Sequence, residues 1–203
     1  STLFPYTTLF RSRTGAQSLI YHELIPGHHF QIALHAQMKE LPIFMQSFDF
    51  IMLTAYTEGW AEYASSLGME MGLYDDPYER YDRYLKEAIL ATRLVVDTGM
   101  NLFGWSLEQA RQFMRVNTIR SETEIASETL RYSTDIPAQA LGYRYGADFI
   151  WRLRHDKEAE LGDAFDVKDF HAAVLGAGIL PMWVLEKHVQ WYFDRAVAAD
   201  RAP

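Results

Sequence analysis

Three imidazoles and a carboxylate crowd one short stretch of the chain: His22 and Glu23, then a Pro26-Gly27 step, then His28 and His29. Neutral imidazole is a good zinc ligand, and a carboxylate beside a metal-activated water can take up its proton. The residue types therefore point to metal-assisted hydrolysis. In the zinc-protease pattern His-Glu-x-x-His the two ligands stand four positions apart on one helix face. Here Pro26 occupies that fourth position, and His28 comes six positions after His22. A regular helix would set the two roughly 9 Å apart along its axis and about 120° apart in direction. Proline removes a backbone hydrogen bond and bends the helix, and glycine accepts the torsions that result. A bulge at Pro26-Gly27 is thus expected to return His28 to the side of His22. His29 has the right direction in an undistorted helix but lies about 10 Å along the axis, which makes it the weaker ligand candidate. A single histidine is more often a surface or core residue; the conjunction of His22, Glu23 and His28 across a proline-glycine step carries the metal reading.

Two imidazoles and a base leave a catalytic zinc one protein ligand short. Residues 44–71 form an apolar, aromatic run with helical spacing, interrupted by Glu58 and Glu62. A carboxylate flanked by Tyr56 and Trp60 is costly unless it is paired or holds a cation, so Glu58 is the expected third ligand. Glu62 lies one turn on, on the same face, so either could be the ligand with the other standing behind it; the plain alternative for both is a solvent-facing helix edge. Further along, Arg93 and Asp97 are one turn apart among Leu94, Val95 and Val96, which predicts an internal ion pair, or else Asp97 orienting a ligand histidine. Tyr143 and Tyr132 are candidates to stabilise an oxyanion, with core packing as the alternative. Arg131 or Arg154 could pair with a substrate carboxylate, with Tyr132 beside them in a substrate-binding role, and both arginines could equally be surface or structural pairs; His171 could donate to an oxyanion or cap a helix.

These residues sit in runs that resemble one family. YHELIPGHHFQ, AYTEGWAEYASSLGMEMGLYDDP, RLVVDTGMNLFGW, SETLRYSTDIPAQALGYRYG and FDVKDFHAAVLGAGILPMWVLE follow one another in the order of the C-terminal part of DUF885 proteins. Those are large bacterial proteins, often described as lipoproteins and grouped with the zincin metallopeptidases of the gluzincin type. The resemblance covers nearly all of residues 16–203. It implies a helical zinc-peptidase scaffold with His22 and His28 as ligands, Glu23 as general base and Glu58 as the downstream glutamate, acting on a peptide or amide substrate. It also implies a periplasmic or secreted, lipoprotein-like location. Two departures stand out: Asn101 occupies a position where the family commonly has histidine, and Ser65 one where it commonly has glutamate. A catalytically inactive metal-binding or scaffold module of the same fold is the alternative reading. Thr2 to Ser12, TLFPYTTLFRS, resembles a translated sequencing adapter and fits nothing in the family pattern. On that reading residues 1–12 are an artefact, residues 13–203 are the C-terminal part of one catalytic domain, and the N-terminal half of the same chain is a missing partner.

The elements that must position the site read as almost entirely helical. The predicted helices are 16–38, 44–72, 77 to about 99, 106 to about 118, 122–132, 137 to about 161, 167–175 and 181–199. Pro77, Pro137 and Pro181 suit first turns, Gly72 and Gly99 suit ends, and Ser106 with Gln109 reads as a capping box. Strand signals are weak, so the expected class is all-α. With 49% hydrophobic and 23% charged residues, the chain has the composition of a folded domain rather than a disordered one. A net charge of −8 disfavours nucleic acid as a partner, and no apolar stretch approaches the roughly 20 residues of a membrane span. The chain has no cysteine, so any metal must be held by histidine and carboxylate.

Overall fold

A computed structural model of the chain describes residues 15–46 and 53–200; the proposed adapter segment lies outside the described residues. Among the described residues ten α-helices follow one another: α1 (Ala16–Glu23), α2 (His28–Gln37), α3 (Ile43–Gln46), α4 (Thr54–Glu70), α5 (Pro77–Asn101), α6 (Leu107–Asn117), α7 (Glu122–Leu130), α8 (Leu141–Leu161), α9 (Val167–Leu175) and α10 (Met182–Asp200). A π-helical turn, Arg131–Asp135, follows α7, and a 3₁₀ turn, Gly162–Ala164, follows α8. No strand occurs among the described residues, so the protein is all-α.

Local chemistry sets most of these boundaries. Pro77 opens α5 behind Asp76, whose carboxylate accepts from the Tyr78 N–H. Ser106 with Gln109 and Ser121 with Glu124 form complete capping boxes at α6 and α7. The expected helix over 16–38 is instead two helices broken at Leu24–Gly27, a complete interruption rather than a bulge. Proline ends the hydrogen-bond ladder there, and the backbone folds so tightly over the end of α1 that a Cβ on Gly27 would lie 1.8 Å from the His22 carbonyl oxygen. The expected helix over 44–72 becomes the short α3 and the long α4, with 47–52 outside the described residues.

The core is built around the crossing of α4 and α8. Tyr56, Trp60 and Tyr63 of α4 and Ile150 of α8 pack against Phe170 and Val174 of α9 and Leu185 of α10. At the crossing the backbones touch: a Cβ on Gly59 would lie 2.6 Å from the Gly146 Cα, and one on Gly146 would lie 1.9 Å from the Ala55 carbonyl oxygen. A smaller core joins Val96 of α5 to Met114, Ile125 and Tyr132. The crossing carries Glu58, next to Gly59, and so fixes where that carboxylate stands. α1 lies across α4 with its polar positions inward: Ser18 and His22 are buried, whereas Leu19 and Ile20 are about half exposed.

Candidate metal centre

His22, at the end of α1, is 4% exposed and enclosed by two glutamates of α4. Its Nδ1 lies 2.8 Å from Glu62 Oε1 and its Nε2 lies 3.3 Å from Glu58 Oε2. Glu62 is itself 1% exposed and is held by Arg83 Nη1 at 2.8 Å and Lys86 Nζ at 2.8 Å, both from α5. Burial alone would raise the Glu62 pKa, but the hydrogen bond from His22 and the charges of Lys86 and Arg83 bring it well below the usual carboxylate range. An ionised carboxylate only accepts, so the His22 nitrogen facing it carries the hydrogen. The other nitrogen of the neutral ring then turns its lone pair toward Glu58, a second acceptor. Two acceptors at this distance repel unless a proton or a cation stands between them.

His28, at the start of α2, faces the same carboxylate oxygen. The break at Pro26-Gly27 folds the chain back so that the rings of His22 and His28 lie 4.7 Å apart, edge to face, and His28 Nε2 is 3.1 Å from Glu58 Oε2. The turn is anchored by Trp60, whose indole N–H donates to the Pro26 carbonyl at 3.0 Å. Glu23 Oε1 is 3.9 Å from His22 Nε2, and ligand atoms of His22, Glu23 and His28 all fall within 4.8 Å of one another. The Glu23 side chain is 53% exposed and free to turn. Burial would raise the Glu58 pKa, but His22 and His28, which donate to it and attract it when their rings are protonated, push it down to about 2. The same contacts raise His22 against the lowering effect of burial.

This donor set fits a divalent cation. Metal–ligand bonds of about 2.0–2.2 Å arranged tetrahedrally require ligand atoms about 3.3–3.5 Å apart, close to the spacing between Glu58 Oε2 and each Nε2. The carboxylate behind Nδ1 fixes the tautomer and the ring plane, as outer partners of metal-binding histidines do.

A second tier of side chains borders the cluster. The Tyr143 ring is stacked on His22 with centroids 6.2 Å apart, and the Arg93 guanidinium lies over the Tyr143 ring, 5.1 Å from its centroid. Gln139 Nε2 donates to the Tyr143 hydroxyl at 3.1 Å and to Glu58 Oε1 at 3.4 Å, while its Oε1 accepts from Arg131 Nη2 at 3.0 Å.

The structure thus brings together His22, Glu23, His28, Glu58, Glu62 and Tyr143, with Arg131 one amide away. Other expected site residues lie apart. His29 is exposed on α2. Arg93 does not pair with Asp97: its guanidinium bonds both oxygens of Glu128 at 3.0 Å and donates to the Tyr132 hydroxyl at 2.8 Å, so Tyr132 is turned into the core. Asp97 touches no histidine; its carboxylate accepts from the Ala138 N–H and from Asn101. Arg154 is committed to Glu70 at 2.9 Å and Glu158 at 2.7 Å. His171 accepts from or donates to the Tyr63 hydroxyl at 2.8 Å and borders an apolar cavity of about 440 Å³ between α2 and α9. Asn101 instead braces the turn after α7 through the Tyr132 carbonyl, and Ser65 is buried against the Ser18 carbonyl and Tyr74.

Sequence reasoning passed over Arg83, Lys86, Gln139 and Gln31. The first two carried a signal, a cation pair three positions apart on the face of α5 that continues into buried Ile89 and Leu90. Gln31 lies one turn beyond His28, 3% exposed, with neither amide atom bonded among the described residues.

An all-α scaffold with a buried histidine–carboxylate cluster at a broken helix is the class that fold and site define. A family model described as "Bacterial protein of unknown function (DUF885)" matches residues 3–189, and the chain belongs to that family. Solved structures share the fold, two of them as follows. One, a "putative lipoprotein" from Colwellia psychrerythraea, is 41% identical with a TM-score of 0.85 over 90% of this chain and 31% of its own. The other, a "putative lipoprotein of unknown function" from Shewanella oneidensis, is 24% identical with a TM-score of 0.78 over 87% of this chain and 31% of its own. The chain therefore spans about a third of the length of either structure. No curated protein matches it.

Proposed function

We propose that the protein is a zincin-like metallopeptidase that hydrolyses peptide or related amide bonds with His22, His28 and Glu58 holding zinc. The observation that carries this reading is the convergence of two imidazole Nε2 atoms on one carboxylate oxygen, at 3.3 and 3.1 Å, with Nδ1 of His22 lying 2.8 Å from Glu62 Oε1 on its far side. A zinc ion bound there would polarise the scissile carbonyl and lower the pKa of a water toward about 7.

The chain's own residues supply the remainder. Glu23 is half exposed beside the cluster, placed to take a proton from the attacking water and return it to the leaving amine. Tyr143, its hydroxyl bonded to Gln139, borders the space where the carbonyl oxygen would gain charge; burial and the Glu58 carboxylate both raise its pKa, so it stays a hydrogen-bond donor. Glu62, clamped by Arg83 and Lys86, keeps His22 in one tautomer and one plane. A lipoprotein-like, periplasmic or secreted location goes with this reading through the two structural relatives; no helix among the described residues is long and apolar enough to cross a membrane.

Metal analysis and peptide hydrolysis test it. The expected result is close to one zinc per chain, with hydrolysis reduced at least 100-fold in Glu23→Gln while the zinc is retained. A purified protein with no zinc after loading, or a Glu23→Gln variant as active as wild type, overturns the reading. Zinc retained without any hydrolysis identifies the inactive module of the same fold.

A further inference from the structure

Arg131 is the cation in this neighbourhood whose counter-charge is missing. Arg83, Arg93 and Arg154 are each tied to one or two glutamates, whereas among the described residues Arg131 pairs with no carboxylate. Among the described residues the guanidinium makes one hydrogen bond, from Nη2 to the side-chain oxygen of Gln139, and the amide of that residue continues to Glu58 and Tyr143. Guanidinium is a planar fork of five donors matched to a carboxylate, and one donor in use leaves an edge of the fork open. The backbone supporting it is unusual. Arg131 opens the π-helical turn, and Ala138, just before Gln139, adopts φ 69°, a left-handed conformation that an alanine rarely takes. Asp97, 1% exposed, holds that turn by accepting the Ala138 N–H, so Arg131 and Gln139 are presented together by a fixed loop.

We infer that Arg131, positioned by Gln139, binds a free carboxylate of the substrate, so that the protein acts on peptides ending in a C-terminal carboxylate and cuts close to that end. This deepens the peptidase reading and rests on it. The spacing suits it: Arg131 is one amide group from the carboxylate that would hold zinc, and a terminal carboxylate lies one residue, about 3.8 Å along the chain, from the nearest scissile carbonyl. The other source of the same chemistry, an acidic side chain on the substrate, is separated by the test.

The test compares matched blocked peptides ending in a free carboxylate, in an amide, and in an amide preceded by glutamate, using the zinc-loaded full chain and its Arg131→Gln and Arg131→Lys variants. The expected result is that wild type cleaves the free acid at least about 10-fold better in kcat/KM than either amide. Arg131→Gln should lose that advantage by slowing the free acid alone, and Arg131→Lys should keep part of it. Cleavage of the glutamate amide as fast as the free acid would reassign the site to an acidic side chain and overturn the C-terminal specificity. Equal cleavage of all three by wild type, or equal slowing of all three in Arg131→Gln, overturns the inference. Calorimetric binding of an acetylated dipeptide acid and its amide to the same proteins decides the matter independently of hydrolysis. Acid-selective binding that vanishes in Arg131→Gln supports the inference even where no peptide is cut, and binding without selectivity ends it.

Discussion

His22 receives opposite demands from its two glutamates. Glu62, an acceptor 2.8 Å from Nδ1, favours the hydrogen on that nitrogen, and in the neutral ring Glu58 then meets the bare Nε2 at 3.3 Å. The arrangement is favourable only because Arg83 and Lys86 keep Glu62 charged, so that the whole row of side chains leans on one fully buried carboxylate. Glu62→Gln tests this. The amide would leave the buried Arg83 guanidinium with Glu87, 3.3 Å away and more exposed, as its one carboxylate partner among the described residues, and removing one member of a buried ion pair typically costs up to about 3–5 kcal/mol. It would also let the His22 ring turn, and losing the partner behind a metal-binding histidine typically lowers metal affinity about 10–100-fold. Urea unfolding and competitive zinc titration read the two effects separately; a Glu62→Gln variant with unchanged stability and unchanged zinc affinity would show that the row is decorative. At this scale the sequence was legible where chemistry is local. Two histidines, an acid and a proline-glycine step fall within seven residues. It was illegible where partners come from far away, and Arg93 and Asp97 show why: each has a mate in helical register, yet each is satisfied by a group more than 30 positions distant.

The site geometry is inherited from how helices meet. Glu58 stands beside Gly59, and Gly59 meets Gly146 backbone to backbone where α4 crosses α8, so the depth of that crossing sets how near Glu58 comes to the histidines of α1 and α2. Replacing a mid-helix glycine by alanine ordinarily stabilises a helix by about 1 kcal/mol. At Gly146 the sign should reverse, because the new methyl would lie 1.9 Å from the Ala55 carbonyl and neither backbone can yield alone. Overpacking of this kind typically costs about 1–3 kcal/mol. Gly146→Ala should therefore lower the melting temperature and, by pushing α4 away from α1, weaken zinc binding as well. Gly162→Ala, at a left-handed glycine distant from the site, is the control that should lower stability and leave zinc untouched. Equal zinc affinity in the two variants would separate the crossing from the site. Caps and proline starts made most of these helices readable in advance, Ser106 and Pro77 above all. The break after Glu23 is complete where the sequence leads one to expect a bulge, because a sequence shows that a proline interrupts a helix but not how far the next turn swings.

Across the whole molecule, the sides of α4 carry different chemistry. One meets the histidine–carboxylate cluster, and the other carries Tyr63 toward His171, in a region held by Arg154. Arg154 donates to the Tyr63 oxygen, so the Tyr63 hydroxyl hydrogen is directed to His171 Nε2, which must be the neutral, accepting nitrogen. Burial first, and then the nearby Arg154 charge, lower the His171 pKa to about 4. In the unfolded chain a histidine takes its proton near 6.5. Between about 4 and 6.5 the unfolded state therefore binds more protons than the folded one, so stability rises with pH across that interval and is lost as the solution is acidified. The contribution is at most about 1.4 kcal/mol per pH unit, less where the ring borders the cavity and solvent screens it. His188, also lowered by burial, adds a term of the same sign, so the informative quantity is a difference between proteins. His171→Gln keeps an acceptor for the Tyr63 hydroxyl and removes the titration. Thermal unfolding of metal-free protein from pH 4.5 to 7 should show a shallower acid-side decline in His171→Gln than in wild type, with the two curves converging near neutral pH. Parallel curves over the whole interval would mean that His171 is charged in the folded protein, and with that the direction assigned to the Tyr63 hydrogen would fall.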